Sequence, residues 1–68
     1  MSKETRYLVF AIEYYRNKKG LSGAQVAELF GAHGIYQLIR DNYFLYHIES
    51  PDHMVADVDR FIACGSVL

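Results

Sequence analysis

The hydrophobic and polar positions of this chain follow helical spacing over most of its length. Residues 3–18 predict the longest helix, which Ser2 can cap and Gly20 can end. Its apolar positions fill an arc wider than one neighbouring helix requires, with Val9 on the polar side. The arc contains Tyr7, Leu8, Phe10, Ala11, Ile12, Tyr14 and Tyr15. Such a helix either crosses the centre of the fold or uses part of its arc to meet another chain.

Two short helices joined by glycines are predicted next. Ser22, followed three residues later by a glutamine, is the signature of a capping box at the start of a helix over residues 23–31. Either Gly31 or Gly34 can supply the left-handed residue that ends it, and residues 35–42 predict the following helix. Helix, tight turn and helix together are the outline of a DNA-reading helix-turn-helix.

Residues 43–48 change the pattern because they are aromatic and β-prone. We predict a short extended segment or strand there. No second convincing strand is present in the chain, so three mates stay open: Leu21 and Ser22, the tail at residues 66–68, or a strand of another molecule.

The last predicted helix carries the clearest apolar stripe. Ser50 can cap it, Pro51 suits its first turn and Gly65 can end it. The stripe consists of Met54, Val55, Val58, Phe61 and Ile62, and the positions outside it are Asp57, Asp59 and Arg60. The whole pattern predicts a mainly α fold in a single small domain over residues 1–68. We expect four short helices with a helix-turn-helix-like core and one short extended segment or strand.

The composition favours association with another protein. Of the 68 residues, 51% are hydrophobic and 15% aromatic, which is more apolar surface than a small core can cover. The net charge of −1 argues against a general nucleic-acid binder. Residues 1–19 carry five basic residues against two acidic ones, whereas residues 49–68 carry four acidic residues against one basic. The head and the tail of the chain are therefore able to attract each other, within one chain or between two.

The single cysteine, Cys64, excludes an internal disulfide, and we expect a buried or interface thiol. The sequence shows no signal peptide and no long apolar run. We therefore predict a cytoplasmic protein that makes no membrane contact.

No motif in the chain supports catalysis or the binding of a cofactor. His33, His47 and His53 are candidate metal ligands, but only His53 and Asp57 have the i, i+4 spacing of a helical metal pair, and no third ligand follows at a motif spacing. We therefore predict no enzymatic activity, no cofactor and no metal site.

These exclusions favour a protein-interaction module that acts as a homodimer or bound to a partner protein. The residues predicted to contact the partner are Tyr14, Tyr15, Tyr43, Phe44, Tyr46 and His47. The alternative is a helix-turn-helix DNA-binding transcriptional regulator, in which Gln37 and Arg40 contact bases while Lys18 and Lys19 contact phosphate. It ranks second because Ile35 and Tyr36 begin the reading helix and Asp41 would repel phosphate.

Several short motifs occur here in an order that a generic helical pattern does not produce. They are Leu21-Ser22-Gly23, Arg40-Asp41-Asn42-Tyr43, the pair Leu45 and His47, and Asp57-Val58-Asp59. In these motifs the chain resembles the short bacterial domain-of-unknown-function 3791 family over roughly residues 6–63. Members look like small accessory proteins, often encoded beside other small genes that include ones similar to ADP-ribosyltransferase toxins. The resemblance therefore implies an antitoxin-like or adaptor role. It supplies no catalytic residues, and His47, Asp57 and Asp59 match it without a known role.

Overall fold

The protein folds into five α-helices. The structure is a computed structural model that describes residues 1–65, and within them no strand forms. The helices are α1 (Lys3–Lys19), α2 (Gly23–His33), α3 (Ile35–Asp41), α4 (Tyr43–Ile48) and α5 (Pro51–Cys64). The mainly α prediction is confirmed, but the helices number five instead of four.

The four predicted helices start where the sequence places them, whereas α2 runs two residues beyond its predicted end at residue 31 and α3 ends at Asp41, one residue before its predicted end. The Ser2 hydroxyl accepts a hydrogen bond from the Thr5 amide at the start of α1 (3.1 Å). Both bonds of the capping box are present at α2: the Gln25 amide donates to the Ser22 hydroxyl (3.1 Å), and the Ser22 amide donates to the Gln25 side chain (2.8 Å). Of the two candidate glycines, Gly34 ends α2, with a left-handed φ of 67°.

Residues 43–48 are helical, so the predicted extended segment is wrong. A lone strand leaves its backbone donors and acceptors unpaired, whereas a helix satisfies them within the segment. The backbone turns from α3 into α4 across Asn42 alone, whose amide donates to the Leu38 carbonyl (3.1 Å) and whose carbonyl accepts from the Tyr46 amide (3.0 Å). Tertiary packing therefore overrides the β propensity of the aromatic side chains. Of the suggested mates, residues 66–68 lie outside the described part of the chain.

The first helix runs through the middle of the fold and packs against each of the other four. Its side chains Leu8, Ala11 and Tyr15 are buried, and they belong to one core to which all five helices contribute. The remaining core residues are Val26, Phe30, Ile35, Leu38, Ile39, Tyr46, Met54, Val55 and Val58. The wide apolar arc is thus explained in part by a central position, and Val9 is exposed as predicted.

Cys64, which we expected to be buried or in an interface, is exposed in the single chain at the end of α5. Within residues 1–65, no helix is both long enough and apolar enough to span a bilayer.

Alanine at Gly34 and at Gly31 is expected to shift stability in opposite directions. Neither new Cβ would meet an atom within 4 Å, so backbone conformation alone decides the sign. Gly34→Ala forces a side chain into the left-handed region and is expected to lower the free energy of unfolding by about 1 kcal/mol. Gly31→Ala replaces a residue inside α2 and is expected to raise it by up to about 1 kcal/mol. Urea unfolding measures both, and equal signs would contradict the assigned end of α2.

Candidate interaction surface

Six aromatic rings form a continuous row where α4 packs on α1. Neighbouring ring centroids lie 4.5–5.8 Å apart, within the range of favourable aromatic contacts. None of the six side chains is fully buried. In order, the rings are Tyr14, Phe10, Tyr7, Tyr43, His47 and Phe44. We call this set the aromatic row.

Helical spacing accounts for the row. Tyr7, Phe10 and Tyr14 lie at positions i, i+3 and i+7 of α1 and therefore share one side of that helix. On α4, Tyr43 and His47 are four residues apart, and their rings stack at 4.5 Å with an interplanar angle of 9°. His47 is held in this orientation because its Nδ1 donates to the Tyr43 carbonyl oxygen (3.1 Å).

The end of the row continues into an exposed apolar face of α4. Phe44 is 74% exposed, Leu45 is 42% exposed and Ile48 is 64% exposed, and their i, i+1, i+4 spacing puts them on one side of the helix. Three large apolar side chains thus lie in water on one side of a six-residue helix, and contiguous exposed apolar side chains are typical of contact sites.

A positively charged depression borders the row. It has a volume of about 320 Å³ and is lined by Lys3, Arg6, Tyr7, Tyr43 and His47. The two cations make no ion pair with any residue in the described part of the chain. The depression therefore combines aromatic walls with uncompensated positive charge.

The last helix is fastened to the others by three tyrosine hydroxyls that donate to aspartates. The bonds are Tyr14 to Asp52 (2.6 Å), Tyr15 to Asp59 (2.7 Å) and Tyr46 to Asp57 (3.0 Å). Lysines from the end of α1 add ion pairs, Lys18 with Asp52 (3.1 Å) and Lys19 with Asp59 (2.5 Å). The basic head and the acidic tail of the sequence therefore meet within one chain.

These contacts shift the protonation equilibria of the groups involved. Burial, reinforced by the hydrogen bonds to Asp59 and Asp57, raises the pKa of the Tyr15 and Tyr46 phenols far above their ordinary value. At the exposed end of α5, hydrogen bonds from Tyr14 and then Lys18 lower the pKa of Asp52 below its ordinary range.

Two of the residues predicted to contact a partner lie in the core. Tyr15 is 3% exposed and Tyr46 is 1% exposed, so neither side chain is accessible to another molecule. Their rings pack inward because each hydroxyl reaches an aspartate of α5 that local spacing does not reveal. Asp57, which we placed outside the apolar stripe, is likewise buried, since its carboxylate accepts from Tyr46. Asp57 and Asp59 thus have a structural role.

The other predicted partner residues, Tyr14, Tyr43, Phe44 and His47, all belong to the aromatic row. Sequence reasoning missed six other members of this surface, which come from α1 and α4. They are Lys3, Arg6, Tyr7, Phe10, Leu45 and Ile48. A helical wheel drawn for residues 43–48 would have grouped Phe44, Leu45 and Ile48, and so pointed to an exposed apolar face.

The residues predicted for the DNA-binding alternative differ in their exposure and pairing. Gln37 and Arg40 are both exposed on α3, although the Gln37 amide nitrogen already donates to Asp41 (2.7 Å). Lys18 and Lys19 are paired with carboxylates of α5. Of the three basic side chains in this set, only Arg40 makes no ion pair with the described residues.

Metal-ligating side chains do not gather in the part of the chain that the structure describes, where no group of three His, Cys, Asp or Glu residues is placed to hold an ion. His53 and Asp57, which have the i, i+4 spacing of a helical metal pair, are in contact, with 3.5 Å between the His53 Nε2 and the Asp57 Oδ2. On its other side, the His53 ring faces Glu49, with 3.3 Å from Nδ1 to Oε2. The His53 ring thus bridges Glu49, which precedes α5, and the buried carboxylate of Asp57.

The chain matches one known protein family. Residues 6–63 match the model of the family described as "Protein of unknown function (DUF3791)". Because the match covers most of the 68 residues, the chain belongs to this family, and the resemblance noted in its motifs is confirmed. No match was found among curated proteins or among solved structures.

Raising the pH is expected to weaken the fold through the buried phenols. Since the folded pKa values of Tyr15 and Tyr46 exceed the ordinary 10.0, their stabilisation is complete below that pH. It is lost as the pH rises further, because the unfolded chain releases these protons first. Tyr46→Phe should reduce this alkaline loss, and at neutral pH it should cost about 1–2 kcal/mol by removing a partner of Asp57.

Urea unfolding at a series of pH values, followed by circular dichroism, measures both effects. Tyr36→Phe is the control at neutral pH, because the Tyr36 hydroxyl makes no hydrogen bond to the described residues. A Tyr46→Phe variant as stable as the wild type at neutral pH would contradict the role given to the Asp57 bond.

Proposed function

We propose that this protein is a non-enzymatic protein-interaction module whose contact surface is the aromatic row together with the exposed face of α4. It acts as a homodimer or bound to a partner protein. The observation that carries the proposal is the exposure of Phe44, Leu45 and Ile48 on one side of a six-residue helix. Covering these side chains is favourable by roughly 25 cal/mol per Å² of apolar surface removed from water.

The size of a stable interface explains why α1 has to take part. A typical interface covers about 800 Å² on each partner, which is a substantial share of the 4250 Å² accessible surface of this chain. A helix of six residues is only about 9 Å long and cannot provide that area alone. The aromatic row extends the same surface along α1 as far as Tyr14, which supports a contact made by both helices.

We propose that the protein uses this surface in an antitoxin-like or adaptor role. Its support is the small size of the domain, the exposed contact surface and the genetic neighbourhood implied by the family. Both roles need a surface that another protein covers, and neither needs a reaction centre.

Serine at Phe44 and Ile48 is expected to abolish association without unfolding the protein. Both side chains are mostly in water, so the free energy of unfolding should change by less than about 0.5 kcal/mol. Mass measurement across protein concentrations reports self-association. A benzophenone amino acid in place of Phe44, activated by light in cells, reports a different partner.

Val9 supplies the matched control, because it is a half-exposed apolar residue of α1 outside the aromatic row. Val9→Ser should leave association intact, and a benzophenone at Val9 should give no adduct. If Phe44→Ser with Ile48→Ser associates as the wild type does, the proposal is wrong.

DNA binding through α3 is the second candidate. The α2–Gly34–α3 geometry and the exposure of Gln37 and Arg40 support it. The ion pairs of Lys18 and Lys19 with α5 reduce the charge that this candidate needs for phosphate contacts.

For this candidate, the expected result is a mobility shift of duplex DNA that weakens as salt rises and disappears when both Gln37 and Arg40 are alanine. Lys3→Ala is the control, because Lys3 lies on α1 and lines the other surface. Absence of any shift at low salt would exclude the candidate.

A further inference from the structure

We propose that the occupant of this surface is an acidic amphipathic segment of a different protein, with its carboxylates on Lys3 and Arg6 and its apolar side chains on the α4 face. This inference rests on the proposed function and specifies the partner. The depression at Lys3 and Arg6 and the exposed Phe44 are joined by one residue, His47, which lines the depression and contacts the Phe44 ring at 5.4 Å.

The surface beside the aromatic row carries unpaired positive charge. Within residues 1–65, three Lys or Arg side chains lack an ion-pair partner: Lys3, Arg6 and Arg40. Two of these three lie together beside the aromatic row. An exposed guanidinium and an exposed ammonium at the rim of an apolar contact favour a carboxylate partner and disfavour a basic one.

The shortage of available carboxylates argues against a second copy of this chain as the source. Of the eight acidic side chains, six already have a polar partner within the described residues. The other two are Glu4, beside Lys3 on α1, and Glu28, which lines a separate depression on α2. The two carboxylates that a copy has available therefore lie on different helices, and Glu4 directly follows one of the cations in sequence, whereas another protein can supply both carboxylates from one segment.

The short distance across His47 specifies the spacing in the segment. One ring separates the charged depression from the apolar face, so the acidic and apolar side chains must lie within about one helical turn of each other. A helix with Leu or Phe along one side and Glu at the flank meets this requirement. Nucleic acid does not, because it offers no aliphatic side chains to cover Leu45 and Ile48.

Selection of random peptides displayed on phage against the immobilised full-length protein tests the inference. We expect the enriched peptides to combine aliphatic or aromatic residues with Asp or Glu at helical spacing. A fluorescent synthetic peptide of the enriched sequence should bind about tenfold more weakly to the Lys3→Glu, Arg6→Glu double variant. Its binding to the wild type should weaken with salt. The matched control is Arg40→Glu, which reverses the third unpaired cation on α3 and should bind as the wild type does.

The outcomes separate this inference from the proposed function. Enriched peptides without an excess of acidic residues, no enrichment at all, or equal binding by the double variant would overturn it. The inference would also be overturned if the wild type formed a dimer, or bound a synthetic oligonucleotide, and the Phe44→Ser, Ile48→Ser variant did not. If Phe44→Ser weakens peptide binding while the charge reversals do not, the interaction surface stands and the acidic partner is wrong. Circular dichroism of each variant shows that it is folded.

Discussion

The hydrogen bond between the Tyr46 hydroxyl and the Asp57 carboxylate fixes how α4 is turned, and the exposed surface follows from that rotation. Asp57 is 8% exposed, and a buried carboxylate is costly unless donors satisfy it. Tyr46 supplies the donor from inside the fold at 3.0 Å. Once Tyr46 points to the core, helical geometry directs Phe44, Leu45 and Ile48 to the outside. The exposed apolar face of α4 therefore lies opposite the side chain that satisfies a buried charge.

A chain of this size leaves few other solutions. Small domains bury a smaller fraction of their surface than large ones do, and one helix already occupies the centre. A six-residue helix that commits Tyr46 to the core cannot bury its opposite side against anything else in the described chain. The apolar excess seen in the composition is thus concentrated at α4 and the adjoining side of α1. This concentration differs from the scattered exposed apolar residues that are ordinary in folded proteins.

The helix ends were predictable because capping depends on local chemistry. Ser22 and Gly34 act on backbone groups a few residues away, so spacing alone reveals them. Residues 43–48 were predicted wrongly because six residues cannot separate a period of 2 from one of 3.6, and β propensity reflects context. Tyr15 was wrongly assigned to the surface because the contact that draws it inward is not local. Its hydroxyl donates to Asp59, which is 44 residues away in sequence. Contacts of that separation leave no local periodic signal.

The basic residues at the two ends of α1 have different surroundings. At its C-terminal end, Lys18 and Lys19 neutralise carboxylates of α5 and help to hold that helix in place. At its N-terminal end, Lys3 and Arg6 face a depression with no carboxylate among its lining residues. Exposed ion pairs contribute little stability in water, but an uncompensated charge beside an apolar surface influences which partner can dock there. The basic side chains of α1 are therefore paired with carboxylates at one end of the helix and line a depression without a carboxylate at the other.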